Sequence, residues 1–227
     1  MTVAKGNEGR LRTVCPNRFE EEGFIYRWVG ERVLGSSAPV VVNEVGFLER
    51  VSGEGARASK DEVGRIDKVL VLPDSKPLAW CALEVQAVYF SGTTMTKEWP
   101  IIKQHSGEGI PFPVGSRRPD YRSSGPKRLM PQLQIKVPSL RRWGKKMAVV
   151  VDVDFWEALG PMDRVPDVSN CDIAWVVVGY DESLGSPKLA LEDVYLTTLE
   201  RSVEGLTAGL PVSLEVFEER ILAKLGK

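Results

Sequence analysis

Between Arg65 and Phe90 the chain runs apolar, turns, and runs apolar again: RIDKVLVL, then PDSKP, then LAWCALEVQAVYF. Two such runs around a five-residue turn rich in Pro, Asp and Ser specify an antiparallel hairpin. The same segment carries polar residues that a sheet core does not need. Asp67 lies near the start of the first run, and Glu84 and Gln86 interrupt the second among Ala82, Leu83, Val85, Ala87 and Val88. Strand residues two apart share a face, so Glu84 and Gln86 point the same way, and pairing of the runs brings Asp67 near them. An ionised glutamate in an apolar strand costs several kcal/mol unless a cation or a donor compensates it. Two carboxylates plus the main-chain carbonyl of Val85 are the hard oxygen donors that Mg²⁺ takes. A metal held so activates water and stabilises charge on a phosphate. The bland alternative, a wet sheet face or a contact to a neighbouring helix, fits the apolar setting less well.

The rest of the chain builds a mixed architecture around that hairpin. Residues 19–34 place Phe24, Ile25, Trp28, Val29 and Val33 near helical spacing, and Gly35 follows as a stop. Residues 40–51 read as a second helix, with Val41, Val45 and Leu48 on one face, and 52–64 as a loop. Residues 92–105 resemble a helix that Pro100 kinks, 105–125 a long surface loop, and 127–146 a helix broken at Pro131 and Pro138. Strands are expected at 147–154, 172–180 and 189–196, and a closing helix at 213–225. Helices, a hairpin, then helix–strand alternation predict an α/β fold with a mixed central sheet flanked by helices. No internal repeat is visible. A lead-in at residues 1–12 followed by one domain over 13–227 is the expected organisation.

Composition narrows the function classes. No apolar run nears the roughly 20 residues that span a bilayer, and residues 1–12 lack the apolar core of a secretory signal. Cys15, Cys81 and Cys171 are odd in number and far apart, so neither a disulfide framework nor a zinc ribbon is expected, and the implied compartment is a reducing cytoplasm. Net charge is −1, but it is unevenly spread. Between residues 115 and 146 stand ten basic side chains, namely Arg117, Arg118, Arg122, Lys127, Arg128, Lys136, Arg141, Arg142, Lys145 and Lys146. Only Asp120 opposes them, which leaves +9. A solvated helix face explains many such runs, but interleaving with Tyr121, Trp143 and prolines favours a polyanion-facing surface. Arg117, Arg118 and Arg122 suit base edges. Lys127, Arg128, Lys136, Arg141, Arg142, Lys145 and Lys146 suit phosphates.

Two competing motifs are weaker. Asp152-x-Asp154 ends an apolar strand and could hold the metal of a nucleotide-sugar transferase, although strand-end aspartates more often cap the next helix. His105, the one histidine, sits in a Gly/Pro-rich loop without the companions that a hydrolytic triad requires. No phosphate-binding glycine loop opens a helix.

Asp67, with Glu84-x-Gln86 beginning seventeen residues later, resembles the PD-(D/E)xK nuclease signature in its Glu-x-Gln form. The wording IDKVLVLPDS and WCALEVQAVYFSG resembles the NotI-like type II restriction endonucleases in particular. Residues 15–19 (CPNRF) and 133–152 (LQIKVPSLRRWGKKMAVVVD) are similar to further stretches of that family. The likeness extends over most of residues 15–225 and is sharp over 65–92. It implies a restriction-endonuclease-like fold and Mg²⁺-dependent cleavage of double-stranded DNA by a homodimer, in defence against foreign DNA. It implies that Asp67 and Glu84 are metal ligands, and that Gln86 stands where most relatives have a lysine that orients the attacking water. Glutamine lacks an ammonium's charge, so Lys68, Lys97 and Lys136 become candidates to reach in. A helix before the hairpin often adds a carboxylate in this fold, and Glu44 is favoured over Glu49. The family's prototype carries a four-cysteine metal site near its N-terminus. Here Cys15 is the only cysteine before Cys81, so that site is expected to be absent. The chain is also short for reading a long site, which leaves room for a partner subunit that supplies targeting. The alternative is a catalytically silent DNA-binding or assembly module that keeps the nuclease fold.

Overall fold

The computed structural model describes residues 13, 15–50, 59–92, 95–107, 117–181, 183, 187–209 and 211–225. The expected lead-in at 1–12 lies outside them, as does the first half of the loop expected at 52–64. The N-terminal helical segment opens with a 3-10 stretch (Pro16–Gly23), continues as α1 (Phe24–Val29) and ends in a π turn (Gly30–Leu34). β1 (Val40–Arg50), β2 (Ser59–Leu72) and β3 (Ala79–Val85) then form an antiparallel meander. A small ribbon pairs β4 (Phe90–Gly92) with β5 (Arg117–Pro119), and α2 (Trp99–Lys103) lies between them in sequence. α3 (Tyr121–Ser124) and α4 (Met130–Arg142) lead to β6 (Met147–Asp152) and the short α5 (Val153–Glu157). β7 (Ile173–Asp181), β8 (Lys188–Thr197), α6 (Leu199–Thr207) and α7 (Leu214–Leu225) complete the chain.

The six long strands form one sheet in the order β1-β2-β3-β6-β7-β8. β6 runs parallel to both β3 and β7, and the outer pairings are antiparallel. Helices flank both faces. On one face α4, α5 and α6 bury Leu133, Val137, Leu140, Phe155 and Leu206 against Val149, Val151 and Trp175. On the other, Phe19, Ile25 and Val29 pack on Leu70, Leu83, Val150 and Val176. This is the mixed sheet of a restriction-endonuclease-like fold, as the sequence predicted. β6 and β7 are buried on both faces, which is why they read as unbroken apolar runs. Among the described residues no helix is long and apolar enough to cross a membrane.

Four local expectations needed correction. Residues 40–50 form an edge strand and not a helix. Apolar positions 41, 45 and 48 fit helical spacing, but Val40-Val41-Val42 is stiff at χ1 and favours the extended chain, and β2 offers a full ladder to pair with. α4 runs straight through Pro138. An interior proline costs a helix about 3 kcal/mol. Burial of Leu133, Val137 and Leu140, each worth roughly 1.5–3 kcal/mol, outweighs that. The loop expected at 105–125 contains β5 and α3, and the helix expected at 92–105 shrinks to α2.

Candidate active site

The hairpin register assembles the site. β2 and β3 pair with Lys68 opposite Leu83, and one further step of the same ladder sets Asp67 opposite Glu84. β1 pairs with β2 through Asn43–Lys68 and Val45–Ile66, so Glu44 lies across from Asp67. Three carboxylates therefore stand in a row across three adjacent strands, whose axes are about 4.8 Å apart. They differ in setting: Glu84 is only 3% exposed, Asp67 is exposed, and the Glu44 side chain is 73% exposed and ion-paired to Arg65 at 3.3 Å. Glu44 also has a left-handed backbone, with φ at +53°, in mid-strand. Glu49 lies further along β1, opposite Glu62, away from this row.

Glu84 is held from above by α4. Lys136 Nζ donates to Glu84 Oε2 at 2.7 Å and to Gln132 Oε1 at 2.8 Å. Lys136 is itself only 6% exposed. Burial pushes the Glu84 carboxyl above the usual carboxylate range. Lys136 pulls it back by its charge and its hydrogen bond, Asp67 raises it further, and Gln132 opposes that rise. Gln86 continues the strand, its N–H donating to Val150 O at 2.9 Å. Its side-chain amide is turned aside, Nε2 donating to Ala87 O at 2.6 Å. Of the other lysines the sequence offered, Lys68 lies against Glu20 and Tyr26, residues of the N-terminal helical segment. Lys97 is exposed on a short 3-10 turn.

The basic stretch divides between the two ends of the sheet. At the Gln86 end, β5 sets Arg117 opposite Gly92 and Arg118 opposite Ser91, with Arg118, Arg122, Lys127 and Arg128 exposed beside them. Segment 86–89 is tied to this group: Tyr89 N–H donates to Ser124 Oγ, Asp120 N–H donates to Tyr89 O, and the Arg128 guanidinium lies 4.2 Å above the Tyr89 ring. At the far end, Arg141 makes a bidentate pair with Asp172 and also reaches Glu200. There Lys145 donates to Leu78 O, Lys146 to Ser169 O and Cys171 O, and Arg142 to Pro138 O. Lys136, grouped with these by sequence, is buried at Glu84 and not on the surface.

The competing motifs resolve simply. Asp152 caps α5, with Oδ1 accepting from Phe155 N–H and Oδ2 from Thr13 N–H. His105 is an exposed residue after α2. A cavity of about 690 Å³ between α5 and the β7–β8 edge, lined by Trp156, Arg164 and Tyr195, contains none of the candidate residues. Gln132 escaped the sequence reading, although its signal was present. Leu129, Leu133, Val137 and Leu140 mark the buried stripe of the 125–142 helical segment, and Lys136 falls inside it. Gln132 precedes Lys136 by one turn.

Hard oxygens from Asp67, Glu84 and the Val85 carbonyl match what Mg²⁺ accepts while keeping several waters. Among the described residues no group of three or more His, Cys, Asp or Glu side chains converges as a ready metal cage. Glu44 is drawn to Arg65 and Glu84 shares one oxygen with Lys136, which leaves a two-carboxylate donor set. None of the curated proteins matches the chain. The family described as Restriction endonuclease NotI matches residues 1–191 of the 227, a span that holds the hairpin, the ribbon, α4 and both parallel strand pairings. The chain belongs to the NotI restriction endonuclease family, whose members are DNA-cleaving restriction enzymes.

Proposed function

We propose that this protein is a Mg²⁺-dependent endonuclease that hydrolyses both strands of duplex DNA and defends the cytoplasm against foreign DNA. The observation that carries the reading is that the β2–β3 ladder ends one step before exposed Asp67 and buried Glu84, whose charges act on each other, next to the Val85 carbonyl and a ribbon bearing arginines. Asp67, Glu84 and Val85 O would hold the metal, and Glu44, at the same level of β1, would join them only after leaving Arg65. When bound, the metal lowers the pKa of water and neutralises charge on the scissile phosphate. The chain's own residues do the rest. Asp67 faces solvent, so a cation it held would be open to an incoming phosphate, while apolar Ala82 and Val149 beside Glu84 keep bulk water from its inner side. Gln86, just past the end of β3, marks the rim of the site.

Arg117 and Arg118 on the ribbon would enter a groove and read base edges. Arg122 lies on α3 and not on the ribbon, so it would join Lys127 and Arg128 on phosphates instead of reading bases. With one site per chain, a double-strand cut calls for a two-fold homodimer, formed by a single domain over residues 13–227 with or without a partner subunit for targeting. Plasmid cleavage in Mg²⁺, with an EDTA control, tests the activity, and light scattering of the DNA-bound protein in Ca²⁺ tests the dimer. Asp67→Ala and Glu84→Ala should each abolish cutting and leave circular dichroism unchanged. Undiminished cutting by both variants sinks the assignment. DNA binding without any cutting by the unaltered protein would instead establish a silent DNA-binding module.

A further inference from the structure

We infer that Lys136, on α4, is the residue that donates to the attacking water, in the place that the strand residue Gln86 does not fill. This rests on the endonuclease reading. Three observations carry it. The Gln86 amide nitrogen already donates to Ala87 O. Lys136 Nζ reaches the Glu84 carboxylate at 2.7 Å from α4, with its side chain buried. Its second bond goes to Gln132 Oε1 one turn earlier, so two of three ammonium hydrogens are directed and the head is fixed. Among the described residues no third acceptor engages it. An ammonium oriented by two acceptors beside a metal-ligating carboxylate presents its remaining N–H to a water lying between Glu84 and the phosphate.

A structural ion pair has no need of this arrangement. A buried pair stabilises a fold less than well-packed apolar side chains of equal volume would. The neighbours of Lys136 on the stripe are apolar, so leucine or methionine would fill its place without a charge. In the step itself the water oxygen bonds to phosphorus as the bond from phosphorus to one sugar oxygen breaks. The water proton passes to solvent, and the departing sugar oxygen takes one up. Lys136 keeps its own protons throughout, donating a hydrogen bond to the water oxygen as negative charge grows there. Gln132 is a positioning residue for Lys136.

The test measures single-turnover plasmid cleavage at saturating Mg²⁺, the Kd for a duplex in Ca²⁺, and the melting temperature. Lys136→Met should slow cleavage about a hundred- to thousandfold, the loss typical when one donor to developing negative charge is removed. Its Kd in Ca²⁺ should stay within roughly threefold of the unaltered protein, because uniform binding is untouched. Gln86→Ala should lose less than about tenfold on the same reasoning. Lys136→Arg guards against misfolding by keeping a cation on Glu84. It should melt and bind DNA normally yet cut at least tenfold more slowly, because a planar guanidinium places its donors differently. Ethylammonium should restore cutting by Lys136→Ala saturably, whereas tetramethylammonium, which has no N–H, should not. Lys136→Met or Lys136→Arg at the unaltered rate overturns the inference, as does equal rescue by both amines. If the unaltered protein cuts and only these variants fail to respond, the endonuclease reading survives and the role of Lys136 does not. If the unaltered protein does not cut, both fall.

Discussion

The division of the basic stretch makes a sharp prediction about DNA binding. Lys145 and Lys146 precede β6, and the ladder between β3 and β6 fixes where that is. Ala82 N–H bonds to Lys146 O, whereas Gln86 N–H bonds to Val150 O. Four to five strand residues therefore separate this pair from the rim of the site, roughly 13–17 Å along the sheet. Both ammonium groups are also engaged with main-chain carbonyls, Leu78 O for one and Ser169 O with Cys171 O for the other. Arg122 and Lys127 lie instead beside the segment that follows Gln86. A protein that neutralises phosphates releases counterions, and log affinity falls with log salt by about 0.9 per contact. Replacing Arg122 and Lys127 together by glutamine removes two contacts and should flatten that slope by about 1.8. Over the fourfold rise from 50 to 200 mM salt, the unaltered protein should then lose roughly 12-fold more affinity than the variant. The matching Lys145/Lys146 double variant should keep the original slope. The assay is a salt titration of duplex binding in Ca²⁺, which supports binding while positioning water loosely. A flattened slope for Lys145/Lys146 with none for Arg122/Lys127 would refute the placement of DNA over the Gln86 end.

Two further predictions concern stability and accessibility. Glu44 is held at φ +53°, so Glu44→Gly should raise stability by up to about 1 kcal/mol in a urea titration; a loss would show that the Arg65 pair outweighs the relieved strain. Burial pushes the Cys81 thiol up to about 12 and raises that of Cys171, while Cys15 is exposed. A thiol reagent should therefore titrate one cysteine in the native protein and three after denaturation, and a second fast native thiol would show that β3 opens.

The hairpin was legible because each signal in it was local: two β-branched runs, a turn, and polar residues at spacing two. β6, β7, β8 and α7 were legible for the same reason. β1 was not, since its apolar spacing fits either period and only the ladder offered by β2 decides between them. The polar motif located the carboxylates and offered Lys136 among three lysines that could reach them, while the basic run in the chain also counted it with the surface. Charge runs are linear in sequence, but α4 is a helix whose turn carries Lys136 inward with Leu133, Val137 and Leu140. The 115–146 stretch is thus split by topology, with arginines at the rim of the site, one lysine inside it, and the remainder clamped at the far end by Asp172, Glu200 and main-chain carbonyls. That clamp ties α4, β7 and α6 together, a structural use of basic residues that composition alone assigned to nucleic acid.

Placing a carboxylate where metal chemistry wants it has a consequence for stability that pH exposes. Burial holds the Glu84 proton above the ordinary range even with Lys136 pulling the other way. Below the unfolded glutamate value Glu84 is protonated in both states, and the folded protein loses nothing. As pH climbs from there to the raised folded value, the unfolded chain ionises while the folded site resists. Stability therefore drops through that window and does not return above it. Glu84→Gln keeps the shape, stays neutral at every pH, and leaves an amide oxygen for Lys136 to donate to. Its melting temperature should match that of the unaltered protein near about pH 4, the ordinary glutamate range. It should pull ahead as pH rises toward neutrality. Ca²⁺ should narrow the gap, because a bound cation compensates the carboxylate and stabilises only the protein that has one. Thermal melts of both proteins across this range, with and without Ca²⁺, make the measurement. A gap that does not change with pH would mean that Lys136 cancels the burial of Glu84 in full; Glu84 would then be half of a finished ion pair, with no charge deficit left for a metal to fill.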